Sequence, residues 1–195
     1  MANVDSAFGL IPVACQGQTD NNGGQSQYPI GDTQSTAIFT GDPVKYKSDG
    51  TIEVAAAAQP LLGVFGGCFY TDPTTSKPTW SPYFPASLAP GDAKAFVWDN
   101  PMQTFIAQQD SVGSNAVAAN LNENADLVFG AGNTTTGVSG VEIDSSSATT
   151  TATLQVRLID FYATPSNNTT ANNSVLVIKI NNSQLMGCLL YTSPS

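Results

Sequence analysis

The chain has 195 residues, of which only 11% are charged, with six Lys and Arg against fifteen Asp and Glu and a formal net charge of −9. That length supports one domain with a substantial core, while so few cations cannot supply the phosphate contacts that sequence-independent nucleic-acid binding requires. Histidine is absent, which removes the commonest general base, the partner of Ser and Cys nucleophiles and the commonest transition-metal ligand.

Residues 1–35 are rich in Gly, Gln and Asn, with one apolar patch, FGLIPV, at residues 8–13. The composition predicts an extended N-terminal arm, ordered only where it lies on something. The run AFGLIPVAC is not read as an export signal, because no basic region precedes it and Pro12 interrupts it.

From residue 36 the pattern tightens into a β-rich domain over residues 36–185. TAIFTGDPVKYKSDGTIEVAA predicts strands at 37–40, 44–46 and 51–54, with Ser48, Asp49 and Gly50 turning a hairpin. The next stretch, LLGVFGGCFYTDPTTSKPTWSPYFPAS (61–87), changes character at its middle. Its first half reads as a buried strand with a bend, bulge or close approach at Gly63, Gly66 and Gly67. Its second half reads as a long inserted loop, 71–92, because Pro73, Pro78, Pro82, Pro85 and Pro90 each remove a backbone donor. Trp80, Tyr83 and Phe84 place three aromatics in five residues of that loop. Such a loop docks on something, either its own core or a partner, and the residues alone leave both open.

Two further strands are expected at 93–98 and 103–108 around the turn Asp99-Asn100-Pro101, then one short helix from Ala116, where Val117, Leu121 and several Ala fit a 3.6 period. Residues 133–140 and 144–151 read as polar loops, and strands at 153–161 and 175–180 close the domain. Short strands with turn chemistry between them predict a mainly β fold, an antiparallel β-barrel or sandwich.

No constellation of catalytic residues stands out. Cys15, Cys68 and Cys188 form no CxxC, so neither a zinc site nor a disulfide framework is indicated, and Cys15 and Cys68 read as small buried hydrophobes. The carboxylates Asp42, Asp49, Glu53, Asp99, Glu123, Asp126, Glu142, Asp144 and Asp160 sit mostly in turn contexts. Glycines 130, 132, 137 and 140 are followed by no Gly-Lys-Ser/Thr, and the Asn-x-Ser/Thr triplets reflect a composition rich in those residues. The chain is expected to be no enzyme and to bind no cofactor or metal. No apolar run approaches the length of a membrane-spanning helix.

MANVDSAFGLIPV, TAIFTGDPVKY, LLGVFGGCFYTDPTTSKPTWSPYFPAS, FVWDNPMQTFIAQQD, NADLVFGAGNTTTGVSGVEIDSSSATTTATLQVRLIDF and VLVIKINNSQL occur in that order, and together they resemble a family of virion structural proteins of marine tailed bacteriophages. The resemblance covers nearly the whole chain. Members are similar to capsid decoration or cement proteins, which implies a β-barrel-based protein on the outer surface of an assembled capsid in the virion, made in the host cytoplasm, with the major capsid protein and further copies of itself as partners and no nucleic acid or membrane. Ala14, Cys15 and Gln16 stand where the family carries basic residues.

On this reading the residues expected to contact the capsid or a neighbouring subunit are Phe8, Leu10 and Ile11 of the arm and Trp80, Tyr83 and Phe84 of the loop. A second reading is a carbohydrate-binding β-sandwich that stacks sugars on Trp80, Tyr83 and Trp98, and a third, a glycan-cleaving phage enzyme, requires two facing carboxylates in a cleft. Residues 186–195 are expected to be a non-native tail, since CLLYTSPS (188–195) resembles translated sequencing-library adapter and implies that the natural C-terminus is missing.

Overall fold

The computed structural model describes residues 3–16, 24–113, 116 and 118–186. The fold is mainly β and antiparallel, as the spacing of turn residues predicts. One sheet orders its strands β1 (Ile11–Cys15), β10 (Gln103–Gln108), β14 (Val175–Ile180), β13 (Val156–Phe161), β11 (Asn124–Asn133) and β12 (Val138–Thr149). A second orders β2 (Ser26–Pro29), β9 (Lys94–Trp98), β6 (Gly63–Thr71), β4 (Pro43–Tyr46) and β5 (Ile52–Val54), with β7 (Pro78–Ser81) also on β6. A two-stranded piece joins β3 (Ile38–Phe39) to β8 (Tyr83–Phe84). The first sheet curls on itself: Asp110 N–H donates to the Ile143 carbonyl at 2.9 Å, so β12 returns to the end of β10.

Each sheet carries its own core. Leu10, Phe105, Leu127, Val141, Ile143, Val156, Leu158, Leu176 and Ile178 fill the first, and Ile38, Val44, Ile52, Phe65, Cys68, Phe84, Ala95 and Val97 fill the second. Strand β6 serves both, because successive side chains point to opposite faces: Val64 enters the first core and Phe65 the second. The glycines of β6 behave as the sequence suggests. Register with β9 slips between Phe65 and Gly67, and Gly67 has a φ of +138°. A Cβ on Gly63 would stand 2.5 Å from the Trp98 carbonyl oxygen.

Several sequence expectations need correction. The short helix is a single 3-10 turn, Ala118–Asn120. Asn120, Asn122 and Asn124 are poor helix formers, and Asn122 adopts a φ of +70° that ends any helix. The two polar loops at 133–140 and 144–151 are largely the long β11–β12 hairpin. Its inward positions, Val141, Ile143 and Ser145, alternate with polar outward ones, so its apolar content is half that of a core strand. The loop 71–92 contains β7 and β8, because its prolines fall where a ladder tolerates them: Pro78 opens β7, and Pro82 separates β7 from β8. The N-terminal arm is built into the domain, since β1 pairs β10 and β2 pairs β9. The tail beyond residue 186 and Cys188 within it lie outside the described residues.

Asp42 shows how tightly the region between β3 and β4 is closed. It is 5% exposed, its Oδ2 accepts the Phe39 N–H at 2.7 Å, and its own N–H donates to the Phe39 carbonyl. Burial drives its carboxyl up to about 6, although hydrogen bonds from the Ser139 hydroxyl and the Phe39 N–H pull the other way.

Two measurements check this packing. Replacing Gly63 with Ala forces a methyl into the Trp98 backbone and should cost at least about 2 kcal/mol in urea unfolding, whereas Gly24→Ala, with nothing within 4 Å of the added carbon, should cost far less. Equal costs would show that β6 and β9 have room to separate. Asp42 ionises near 3.8 when unfolded and near 6 when folded, so its contribution to stability is complete below about pH 4 and is lost as pH rises through 6. Asp42→Asn should therefore be the more stable protein at pH 7, by as much as about 3 kcal/mol, with the gap closing by pH 4. A gap that stays constant over this range would show that Asp42 titrates normally.

Candidate functional site

The six sequence-predicted contact residues divide sharply. Leu10 and Phe84 are fully buried, in the first and second cores respectively, so neither is available to a partner. Leu10 is fixed by its N–H bond to the Gly41 carbonyl, and Phe84 packs edge-on against Tyr70 with ring centres 5.8 Å apart. Tyr83 is half-buried and stacks on Phe39 at 5.5 Å with the planes 13° apart. Phe8 is half-buried as well. Only Ile11, on β1, and Trp80 remain substantially exposed, Trp80 at 59%, and they lie on different sheets.

Trp80 has company that the sequence did not announce. It pairs across the ladder with Phe69, which is 44% exposed, and Phe69 in turn pairs with Lys94 of β9. Trp80 lies over Gly67, where a Cβ would come within 3.0 Å of the ring. Gly67 stands opposite the half-buried Phe96. The second sheet thus presents Trp80, Phe69 and Phe96 on one outward face. The signal for this was the Gly66-Gly67 pair as a bulge: strict alternation from the buried Phe65 would turn Phe69 inward, and the register slip reverses it, so that Cys68 and Tyr70 turn inward and Phe69 outward. Trp98, the third candidate sugar platform, packs against the first core instead.

The fold also holds a cleft of about 770 Å³. One wall is β11 from Asp126 to Gly132, and the others come from Thr36, Ala37 and Phe39 and from residues 54–57. Gln155, fully buried, ties two of the cleft's walls together: its Nε2 donates to the carbonyls of Ala56 and Gln59, both at 2.9 Å, and its Oε1 accepts the Leu127 N–H at 3.1 Å. Phe39 covers Gly132.

Three carboxylates line this cleft, Asp42, Asp126 and Asp144, and Asp126 and Asp144 are direct cross-strand partners. The sequence pattern places Asp144 in a loop and so does not pair them. All three are occupied as backbone acceptors. Asp42 holds the Phe39 N–H, Asp126 accepts the Gln155 N–H at 3.3 Å, and Asp144 accepts the N–H groups of Ser146 and Ser147 together with the Ser146 hydroxyl. No Lys or Arg is among the lining residues. The arrangement makes a negatively charged, largely apolar trough.

Cys15 and Cys68 are buried free thiols, and burial raises the Cys68 thiol to about 12, which keeps it protonated and unreactive. Among the described residues no group of three metal-ligating side chains converges, and no helix is long and apolar enough to cross a membrane. No protein-family model matches this chain, and neither does any curated protein or solved structure.

Proposed function

We propose that this protein is a non-enzymatic virion structural protein that binds the outer surface of an assembled phage capsid as a decoration or cement protein. The observation that carries the reading is the exposed aromatic face of the second sheet. Trp80 and Phe69 project from paired strands, so they lose little conformational freedom on docking, and each contributes on the order of 1–3 kcal/mol when covered. The ordered resemblance of nearly the whole sequence to virion structural proteins of marine tailed bacteriophages supports the same reading. A capsid lattice supplies many equivalent sites, and repetition converts a modest single contact into firm attachment. The carboxylates of the cleft already serve the backbone, which favours a binding role over acid–base chemistry.

The Trp80 ring against the Gly67 backbone, next to Phe69, also favours a carbohydrate-binding reading, since a flat exposed indole is a sugar-stacking platform. The two readings part on the ligand.

The double variant Trp80→Ala, Phe69→Thr should no longer co-sediment with capsids assembled from the major capsid protein of the same phage, while its melting temperature stays within about 2 °C of the parent, both side chains being exposed. Unchanged co-sedimentation would overturn the assignment of this face. Retention on immobilised polysaccharide, lost in the double variant and without capsid binding by the parent, would establish the carbohydrate reading in its place.

A further inference from the structure

Strand β11 is paired on one side only for most of its length. β12 runs along it in continuous register from Asp126 to Gly130. On the opposite edge β13 pairs only with Asn124 and Ala125, and among the described residues no strand pairs with that edge further along. The hydrogen-bond phase shows which groups are left there. The Ile143 carbonyl is bonded to Asp110, so the Leu127–Ile143 pair turns its backbone groups away from each other. Two independent bonds agree: the Leu127 N–H goes to Gln155, and the Val141 N–H goes to the Ser139 hydroxyl at 3.0 Å. By the same alternation Phe129, opposite Val141, directs both N–H and C=O to the unpaired edge.

That edge is the wall of the cleft. An open strand edge on a convex surface invites aggregation and is usually blunted by charge, proline or a bulge. Here it lines a cleft shared with Phe39 and residues 54–57, whose volume of about 770 Å³ has room for a short extended chain. Leu127 to Ala131 spans four residue steps, about 14 Å, enough for a partner strand of four or five residues.

We propose that the cleft is a strand-addition site that takes an extended polypeptide segment of a partner protein, in which apolar residues alternate with Lys or Arg. Main-chain bonds to the Leu127 carbonyl, whose N–H is already held by Gln155, and to the N–H and C=O of Phe129 supply the register, and alternate side chains enter the apolar wall of Val54, Ala55 and Val141. Asp126 and Asp144 lie on the same wall with no cation beside them among the lining residues, which selects a basic chain. A second copy is disfavoured as the occupant, because the chain carries a net charge of −9 and only six cations. The site is separate from the aromatic face and does not depend on the capsid reading.

The test is selection from a random synthetic dodecapeptide library against the full chain, followed by amide hydrogen exchange with the best peptide bound. Enriched peptides should lack proline over at least four residues, alternate apolar with basic side chains, and slow exchange of the Phe129 amide at least tenfold. Ala57→Trp, at an exposed position lining the cleft, should weaken binding at least tenfold without changing the melting curve; Ala56→Trp, also exposed, replaces it if the curve shifts. Asp126→Asn with Asp144→Asn should weaken basic peptides selectively, and Trp80→Ala should leave them unaffected, so that failure here is distinct from failure of capsid binding. No enrichment, enrichment of acidic or proline-broken peptides, or binding indifferent to the cleft variants would overturn the proposal.

Discussion

Everything in this fold is organised around β6, a strand that must satisfy two cores at once. A half-buried strand usually gives one face to a core and one to water; β6 gives Val64 to the core of the first sheet and Phe65 to that of the second. The strand can serve both only near its start, where Gly63 lets the Trp98 backbone approach and the register slip at Gly66 re-aims the remainder of the strand. Past the slip, Cys68 and Tyr70 continue into the second core while Phe69 turns outward. The same bulge that lets two cores share a strand therefore creates the exposed aromatic face. Core architecture and surface chemistry are one constraint.

The cleft arises from a comparable compromise in the first sheet. β13 leaves β11 after two residues, which would abandon a buried N–H at Leu127, and the chain satisfies that donor with a side chain instead of a strand. Gln155 is fully buried, and both its donors and its acceptor oxygen are engaged: Oε1 takes the Leu127 N–H and Nε2 reaches the carbonyls of Ala56 and Gln59. A buried amide satisfied in this way ties the segment after β5 to β11, and it does so at one point, leaving a trough beyond it. Leu or Met at position 155 would fill the same volume but strand three backbone groups.

The legible part of the sequence was local. Ser48-Asp49-Gly50 turns the β4–β5 hairpin, with Gly50 at a φ of +81°, and the apolar runs at 93–98, 103–108 and 175–180 are strands. The hidden part depended on partners distant in sequence. Ala116 to Asn120 fits a helical period, yet nothing in that period reveals that a strand begins at Asn124. Residues 133–140 and 144–151 look like loops because much of their length is polar, and only the pairing of β11 with β12 makes that pattern a hairpin. Proline and aromatic density in residues 78–84 fitted a docking loop equally well on either destination. The break at Pro82 decides between them, because it puts the residues on strands of different sheets: Trp80 on β7 goes outward, Phe84 on β8 inward, and Tyr83 onto Phe39.

The two proposed surfaces would ask for different things from a ligand, and the difference lies in which groups each has already paired. On the aromatic face the backbone is paired on both sides of Phe69, by β7 and β9, so recognition falls to side chains and rewards area and flatness. Along the cleft the side chains are modest but backbone groups remain unpaired, so recognition falls to main-chain hydrogen bonds and rewards extension and register. Both are held by ladders that exist before any ligand arrives, and a preformed strand loses little ordering entropy on binding. The chain carries few charges and no histidine, and several of its carboxylates already hold backbone N–H groups. Shape on the proposed aromatic face and unpaired backbone along the proposed cleft are what a partner would meet.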